Sequence, residues 1–195
     1  MKKQTIPTLL FSLLLLIIGN QTIAQAEKAE TEIQAIMQST PVVGLAVAVV
    51  KNNKVIYNHS FGLKDAENKI PLNNQSIFRI ASISKSFTAT AIMQLVAKKQ
   101  IKLDQDISEL IGFKVRNPKY PNKVITLKMI LSHRSSLNDS EGYFNLDAID
   151  PSKNINYAKC YNGYEPDKGY MYCNLNYNIA GTIVERITGV RFDQF

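Results

Sequence analysis

The segment Phe78-Arg79-Ile80-Ala81-Ser82-Ile83-Ser84-Lys85-Ser86-Phe87-Thr88-Ala89 places a serine three residues ahead of a lysine. On a helix, positions i and i+3 share a face, so Ser82 Oγ and Lys85 Nζ are predicted to aim at one spot. A serine hydroxyl is a weak nucleophile until a base takes its proton. A lysine amine accepts a proton only when neutral, a form favoured by burial and by the positive end of a helix dipole. The start of a buried helix therefore suits such a pair. The Ser82 backbone N–H falls among the unpaired donors at that start, where it can face a developing oxyanion. The spacing by itself decides little, because 13 Ser and 18 Lys in 195 residues suffice for a Ser-x-x-Lys to arise by chance. The bland reading of the same residues is a capping serine and a lysine whose stem lies along the helix.

The elements around this segment supply the context. Ile83, Phe87, Ala91, Ile92, Leu95 and Val96 cover much of the circumference of a helix predicted from about Ser82 to Lys99, so that helix is expected to be central and largely buried. Before it, Glu27–Ser39 reads as an amphipathic helix with Ile33, Ile36 and Met37 at near-helical spacing. Val42–Val50 reads as a strand buried on both faces, Lys51–Lys54 as a turn and Val55–Phe61 as the returning strand of a hairpin. Gly62–Gln75 reads as loop, and Ile77–Ile80 as a short extended piece. After the helix, Leu103–Leu110 is expected to hold a helical turn and Thr126–Leu131 a capped short helix. Asn117–Lys123 reads as loop and Asn138–Gly169, polar and rich in Asn and Tyr, as a long surface excursion. A last helix is predicted over Tyr177–Thr188, ended by Gly189.

Composition narrows the classes of function. Lys2 and Lys3, the apolar run Leu9–Ile18 and the small-x-small triplet Ala24-Gln25-Ala26 read as a cleaved signal peptide over residues 1–26, and hence as export to a periplasmic or extracellular compartment. The run is shorter than the roughly 20 residues a membrane span needs. From residue 27 onward the formal charge is +5 (21 Lys+Arg against 16 Asp+Glu), scattered without a stripe, which argues against nucleic acid as a partner. His59 and His133 stand far apart without paired ligands, so neither a metal nor another cofactor is expected. In an oxidising compartment Cys160 and Cys173 could close a short disulfide loop, and two buried free thiols are the competing reading.

Phe78–Ala89 resembles the nucleophile segment of the serine β-lactamase and penicillin-binding-protein family, in particular its class C β-lactamase-related branch, which includes esterases and D-amino-acid peptidases. Gly62, Asp65 and Pro71 are similar to the approach to that motif, and Leu103-Asp104 and Leu131-Ser132-His133 to segments that follow it. The resemblance extends from about Val43 to the C-terminus. It implies an α/β (α+β) fold: an antiparallel sheet flanked by helices, with a helical subdomain. It also implies a Tyr-x-Asn motif, whose Tyr works with the Lys as base and whose Asn holds Lys and substrate. Tyr120-Pro121-Asn122, Tyr143-Phe144-Asn145 and Tyr172-Cys173-Asn174 all match by spacing. The stretch Pro166–Asn174 followed by Tyr177–Gly189 is similar to the family's motif loop and the helix after it, which favours Tyr172 and Asn174.

Three departures accompany the resemblance. Arg134-Ser135-Ser136 stands where the family has Thr-Ser-Gly, so a turn that a glycine eases is made with serine. Cys173 occupies the middle of the Tyr-x-Asn motif, so a bridge to Cys160 would touch the site. His133 is expected to be structural. The family's third motif, a Lys or His near a Gly on a late strand, does not follow the second within these 195 residues, so a C-terminally truncated chain lacking strands of the sheet is expected. The hairpin's apolar edge is then expected to stand open. The resemblance implies an exported serine hydrolase in which Ser82, Lys85 and Tyr172 catalyse and Asn174 binds substrate. The substrate would be a β-lactam, a peptidoglycan-type D-amino-acid peptide or an ester. The competing reading is a relative that binds ligand without turnover.

Overall fold

The structure is a computed structural model that describes residues 25–195. The leader expected over residues 1–26 lies outside them but for its last two positions. The chain divides into two compact units, one ending at Arg79 and the other running from Ile80 to Phe195. No helix of the described residues is long and apolar enough to cross a membrane.

In the first unit a helix, α1, occupies residues 25–39. A three-stranded antiparallel sheet follows in the order β1 (Gly44–Lys51), β2 (Lys54–Asp65), β3 (Ile70–Pro71). Asn52 and Asn53 both adopt positive φ (51° and 59°), as a two-residue hairpin turn with the twist of the strands requires. Alternation along β2 directs Tyr57, His59 and Phe61 to one face, where Tyr57 Oη donates to Glu30 on α1 at 3.0 Å. Phe61 is buried there. Val49, Val50, Val55 and Ile56 are exposed, so β1 is not the fully buried strand that its apolar run predicts. The run records only that its side chains are apolar; burial needs a second layer on each face. β2 also continues four residues beyond Phe61, into a stretch that reads as loop. Gly62 makes the continuation possible: its φ is +75°, and a Cβ there would stand 2.3 Å from Val43 O. Residues 76–80 pair with no strand.

The second unit is helical: α2 (Ser84–Ala97), α3 (Ile107–Ile111), α4 (Leu127–Leu131) and α5 (Leu175–Thr188). Asp106 caps α3 by accepting from Ser108 N at 2.9 Å, and Thr126 caps α4 by accepting from Met129 N at 3.3 Å. Gly189 closes α5 in the left-handed conformation. The hub is α5, which packs against α2, α3 and α4. Its Leu175, Ile179, Ile183 and Val184 are fully buried, each worth about 1.5–3 kcal/mol of transfer free energy. By contrast α2, expected to be buried nearly all round, is buried along the single line Thr88, Ile92 and Leu95, the i, i+4, i+7 face. Phe87, on another side of α2, is 65% exposed, and Ile83 in the turn before it 64%. The excursion Asn138–Gly169 is more anchored than its composition predicts. Two 3-10 turns, Leu146–Ile149 and Tyr157–Cys160, put Ala148, Ile149 and Cys160 into the core, and an isolated bridge pairs Leu137 with Tyr161.

Candidate active site

Every group of the candidate site belongs to the second unit. The chain reaches it through Ala81, whose φ of +45° is left-handed and, for a residue with a Cβ, strained by roughly 1–2 kcal/mol. Ala81 opens a 3-10 turn, Ala81–Ile83, that runs directly into α2. Ser82 therefore sits in the lead-in turn, and Lys85 in the first turn of α2. The i, i+3 relation holds across the junction, with Lys85 Nζ 3.3 Å from Ser82 Oγ.

Ninety residues later the chain returns. Tyr172 Oη donates to Ser82 Oγ at 2.8 Å, and Lys85 Nζ donates to Asn174 Oδ1 at 2.9 Å. Lys85 Nζ also lies over the Tyr172 ring, 5.0 Å from its centroid, and 5.6 Å from that of Tyr177. Lys85 Nζ and the Ser82 hydroxyl beside it hold the Tyr172 phenol below its ordinary value, since a donor stabilises the phenolate. Ser82 and Tyr172 are exposed and Lys85 half-buried, so the hydroxyl faces solvent above a packed floor.

The floor is made by His133 and Asp139. His133 adopts a left-handed φ of 57°, which turns its ring under Tyr172, with centroids 4.5 Å apart. Its Nδ1 accepts from Cys173 N at 3.2 Å and lies 3.3 Å from Asn176 Nδ2. With two donors on Nδ1, that nitrogen carries no proton and the neutral tautomer is protonated on Nε2. Burial, and then the nearby Lys85, push the His133 pKa down. Asp139 accepts from Leu175 N at 3.0 Å, Asn174 N at 2.9 Å, Asn174 Nδ2 at 2.9 Å and Cys173 Sγ at 3.1 Å. Burial pushes its carboxyl up, but these donors outweigh burial and hold it below the usual carboxylate range. Nothing in the spacing of the sequence singles out Asp139. A polar residue on a loop carries no periodic signal, and its partners lie some 35 positions away.

Of the three Tyr-x-Asn candidates, the structure brings one to Ser82. Tyr120 Oη donates to Gly163 O at 3.1 Å. Tyr143 stacks on Phe144, and Asn145 caps the turn Leu146–Ile149 by accepting from Asp147 N at 3.0 Å. Cys160 and Cys173 are free and buried, so the disulfide considered from the sequence is not formed. Their thiols face separate partners, Ala148 O for Cys160 and Asp139 for Cys173. Ser136 keeps the turn that a glycine would ease, with φ of +64°. Its hydroxyl accepts from the buried Asn117 Nδ2 at 3.0 Å. Among the described residues no group of three or more His, Cys, Asp or Glu side chains is placed to hold a metal ion.

A serine hydroxyl held between a lysine and a tyrosine, at the head of a helix packed on helices and preceded in the chain by an antiparallel hairpin, defines a class, and comparison with known proteins agrees. The Beta-lactamase family model matches residues 29–195, so the chain belongs to that family. It is 30% identical over 161 residues to Penicillin-binding protein 4* of Bacillus subtilis strain 168, covering 76% of this chain and 34% of that one. The chain thus spans about a third of the length of the curated relatives it matches. Among solved structures, the octameric penicillin-binding protein homologue of Pyrococcus abyssi superposes with a TM-score of 0.69 at 27% identity, covering 87% of this chain and 40% of that one. The D-amino acid amidase of Ochrobactrum anthropi SV3 superposes with a TM-score of 0.60 at 27% identity, covering 78% and 42%. The fold is the β-lactamase-like one: an antiparallel sheet with helices, as the resemblance implies.

Proposed function

We propose that this chain carries the nucleophile side of a serine acyl hydrolase that works through an acyl-enzyme on Ser82. The observation that supports this most directly is the convergence of Lys85 Nζ and Tyr172 Oη on one hydroxyl oxygen, at 3.3 Å and 2.8 Å. In the acylation step Ser82 Oγ forms a bond to the substrate's acyl carbon and gives its proton to the Lys85–Tyr172 pair. The tetrahedral oxyanion is met by the Ser82 N–H at the positive end of α2. The bond to the leaving nitrogen or oxygen breaks as Tyr172 Oη returns the proton to it. Water then attacks the acyl carbon of the ester, losing its proton to the same pair; the Ser82 Oγ–acyl bond breaks, the pair returns the proton to Oγ, and the acid product leaves. Asn174 steadies Lys85 throughout and is placed to meet the substrate's amide.

The substrates we propose are a β-lactam, a D-amino-acid peptide or amide of the peptidoglycan type, or a simple ester. The first two are suggested by what the Bacillus and Ochrobactrum relatives are named for. All three present an acyl carbon beside a leaving heteroatom, which is what the pair requires. We also propose that the chain is exported. The basic start, the apolar run and the Ala24-Gln25-Ala26 triplet support this, and N-terminal sequencing of the protein recovered from its native cell tests it.

Incubation with a fluorophosphonate or a penicillin-type probe, followed by intact-mass measurement, tests the acyl-enzyme. One adduct on the wild type and none on Ser82→Ala is expected. An adduct that forms but never turns over would support a ligand-binding relative, and no adduct at Ser82 would refute the nucleophile.

A further inference from the structure

Asp139 spends every acceptor site it has on the Tyr172-Cys173-Asn174-Leu175 segment. A carboxylate offers about four lone-pair positions on two oxygens. Oδ2 takes Asn174 N and Asn174 Nδ2, and Oδ1 takes Leu175 N and Cys173 Sγ. A side chain that only braced a helix start would need the two backbone donors alone. The bond to Asn174 Nδ2 does something further. The two ends of a carboxamide are nearly the same size, and its orientation follows from what each end meets. A carboxylate can only accept, so it compels Asn174 to turn its NH2 toward Asp139. Asn174 Oδ1 is then left facing Lys85 Nζ, which donates to it at 2.9 Å. Lys85 Nζ in turn stands 3.3 Å from Ser82 Oγ.

We infer that Asp139 is a positioning residue for the Ser82 nucleophile, acting through the Asn174 carboxamide to hold Lys85 beside the reacting hydroxyl. This rests on the acyl-enzyme reading above. No atom of Asp139 touches Ser82, and its work is transmitted along Asp139–Asn174–Lys85–Ser82. An asparagine at 139 would present one acceptor oxygen and one NH2, leaving donors of the motif facing a donor. Asn174 would then be free to turn over and set its own NH2 against Lys85.

A double-mutant cycle on acylation rate distinguishes this role from bulk support. Asp139→Asn is expected to slow labelling of Ser82 by a penicillin-type probe about 10²-fold, the cost typical of a misplacement of about 1 Å. In an Asn174→Ala background the same substitution is expected to change the rate less than threefold, because the group it acts through is gone. Losses that multiply instead, or a single substitution within threefold of wild type, would overturn the inference. A second measurement needs neither a variant nor turnover. In wild-type protein the Asn174 side-chain NH2 resonances are expected to move with an acid titration whose midpoint lies below the usual Asp value, reporting the carboxylate they bond. Resonances that ignore that titration would overturn it. Should the wild type take no label, the acyl-enzyme reading fails and the positioning role falls with it, while the titration still reports the Asp139–Asn174 bond.

Discussion

Removing the Tyr172 hydroxyl isolates a single oxygen atom of the site. In Tyr172→Phe the ring remains, still 4.5 Å from His133 and under Lys85 Nζ at 5.0 Å, so the packing that places residue 172 is untouched. What disappears is the 2.8 Å hydrogen bond to Ser82 Oγ. Both partners are exposed, Tyr172 by 44%, so water replaces the bond and the stability change should stay within about 0.5 kcal/mol. The chemical change should be much larger. A positioned acid–base group contributes about 10²–10⁴ to rate, and Tyr172 would serve both proton transfers of acylation. The assay is the rate of adduct formation with a penicillin-type probe by intact mass, beside a thermal melt. A rate lowered at least 10²-fold with an unmoved melting temperature is expected. The pH profile adds a sign. The tyrosine's pKa is lowered, so the wild-type rate should climb with pH through a midpoint below about 10, as phenolate forms. The phenylalanine variant should lack that rise. A variant that labels within threefold of wild type, or keeps the rise, would refute the assignment of the proton to Tyr172.

The other predictions concern the floor of the site. Ser136 holds φ of +64°, so Ser136→Gly should be more stable than Ser136→Ala by about 1 kcal/mol in denaturant melts, since only the alanine keeps the left-handed strain. Equal stabilities would show that the turn relaxes. Because Cys160 and Cys173 are free, the unreduced, unfolded chain should take up two alkyl groups by mass, and a chain that takes up none carries the bridge. In the native state Cys173 should resist alkylation, being fully buried with its pKa pushed up to about 12 by burial. For His133 an NMR titration should give a midpoint below about 6.5, because burial disfavours the imidazolium. A folded-state value below the unfolded one means that its share of stability is present above about pH 6.5 and fades as pH falls through the lowered midpoint. A midpoint above 6.5 would contradict the neutral, doubly bonded Nδ1.

The sequence by itself determined the parts that depend on near neighbours. The Ser82–Lys85 spacing, the Asn52-Asn53 turn, the Thr126 cap and the Gly189 stop are all local chemistry, and the residues alone imply them. The likeness of Phe78–Ala89 and of the Tyr172 segment to one family also pointed to which tyrosine would come back to the serine, a step that spacing could not take among three matching candidates. Tertiary structure decided whatever depends on what lies opposite. Apolar β1 and α2 read as buried, yet Val49, Val50, Ile83 and Phe87 face outward, because a hydrophobic pattern states a preference and a neighbouring layer satisfies it. The polar run Asn138–Gly169 reads as surface, yet it carries Asp139 under the site and Ile149 and Cys160 into the core. The two thiols look pairable in sequence, and the fold sends them to different partners. The serine and lysine that could do chemistry are written next to each other. The tyrosine and asparagine that meet them arrive about 90 residues further along, and only the packing of α5 against α2 sets them within hydrogen-bond reach, with Asp139 bonded to the asparagine beneath.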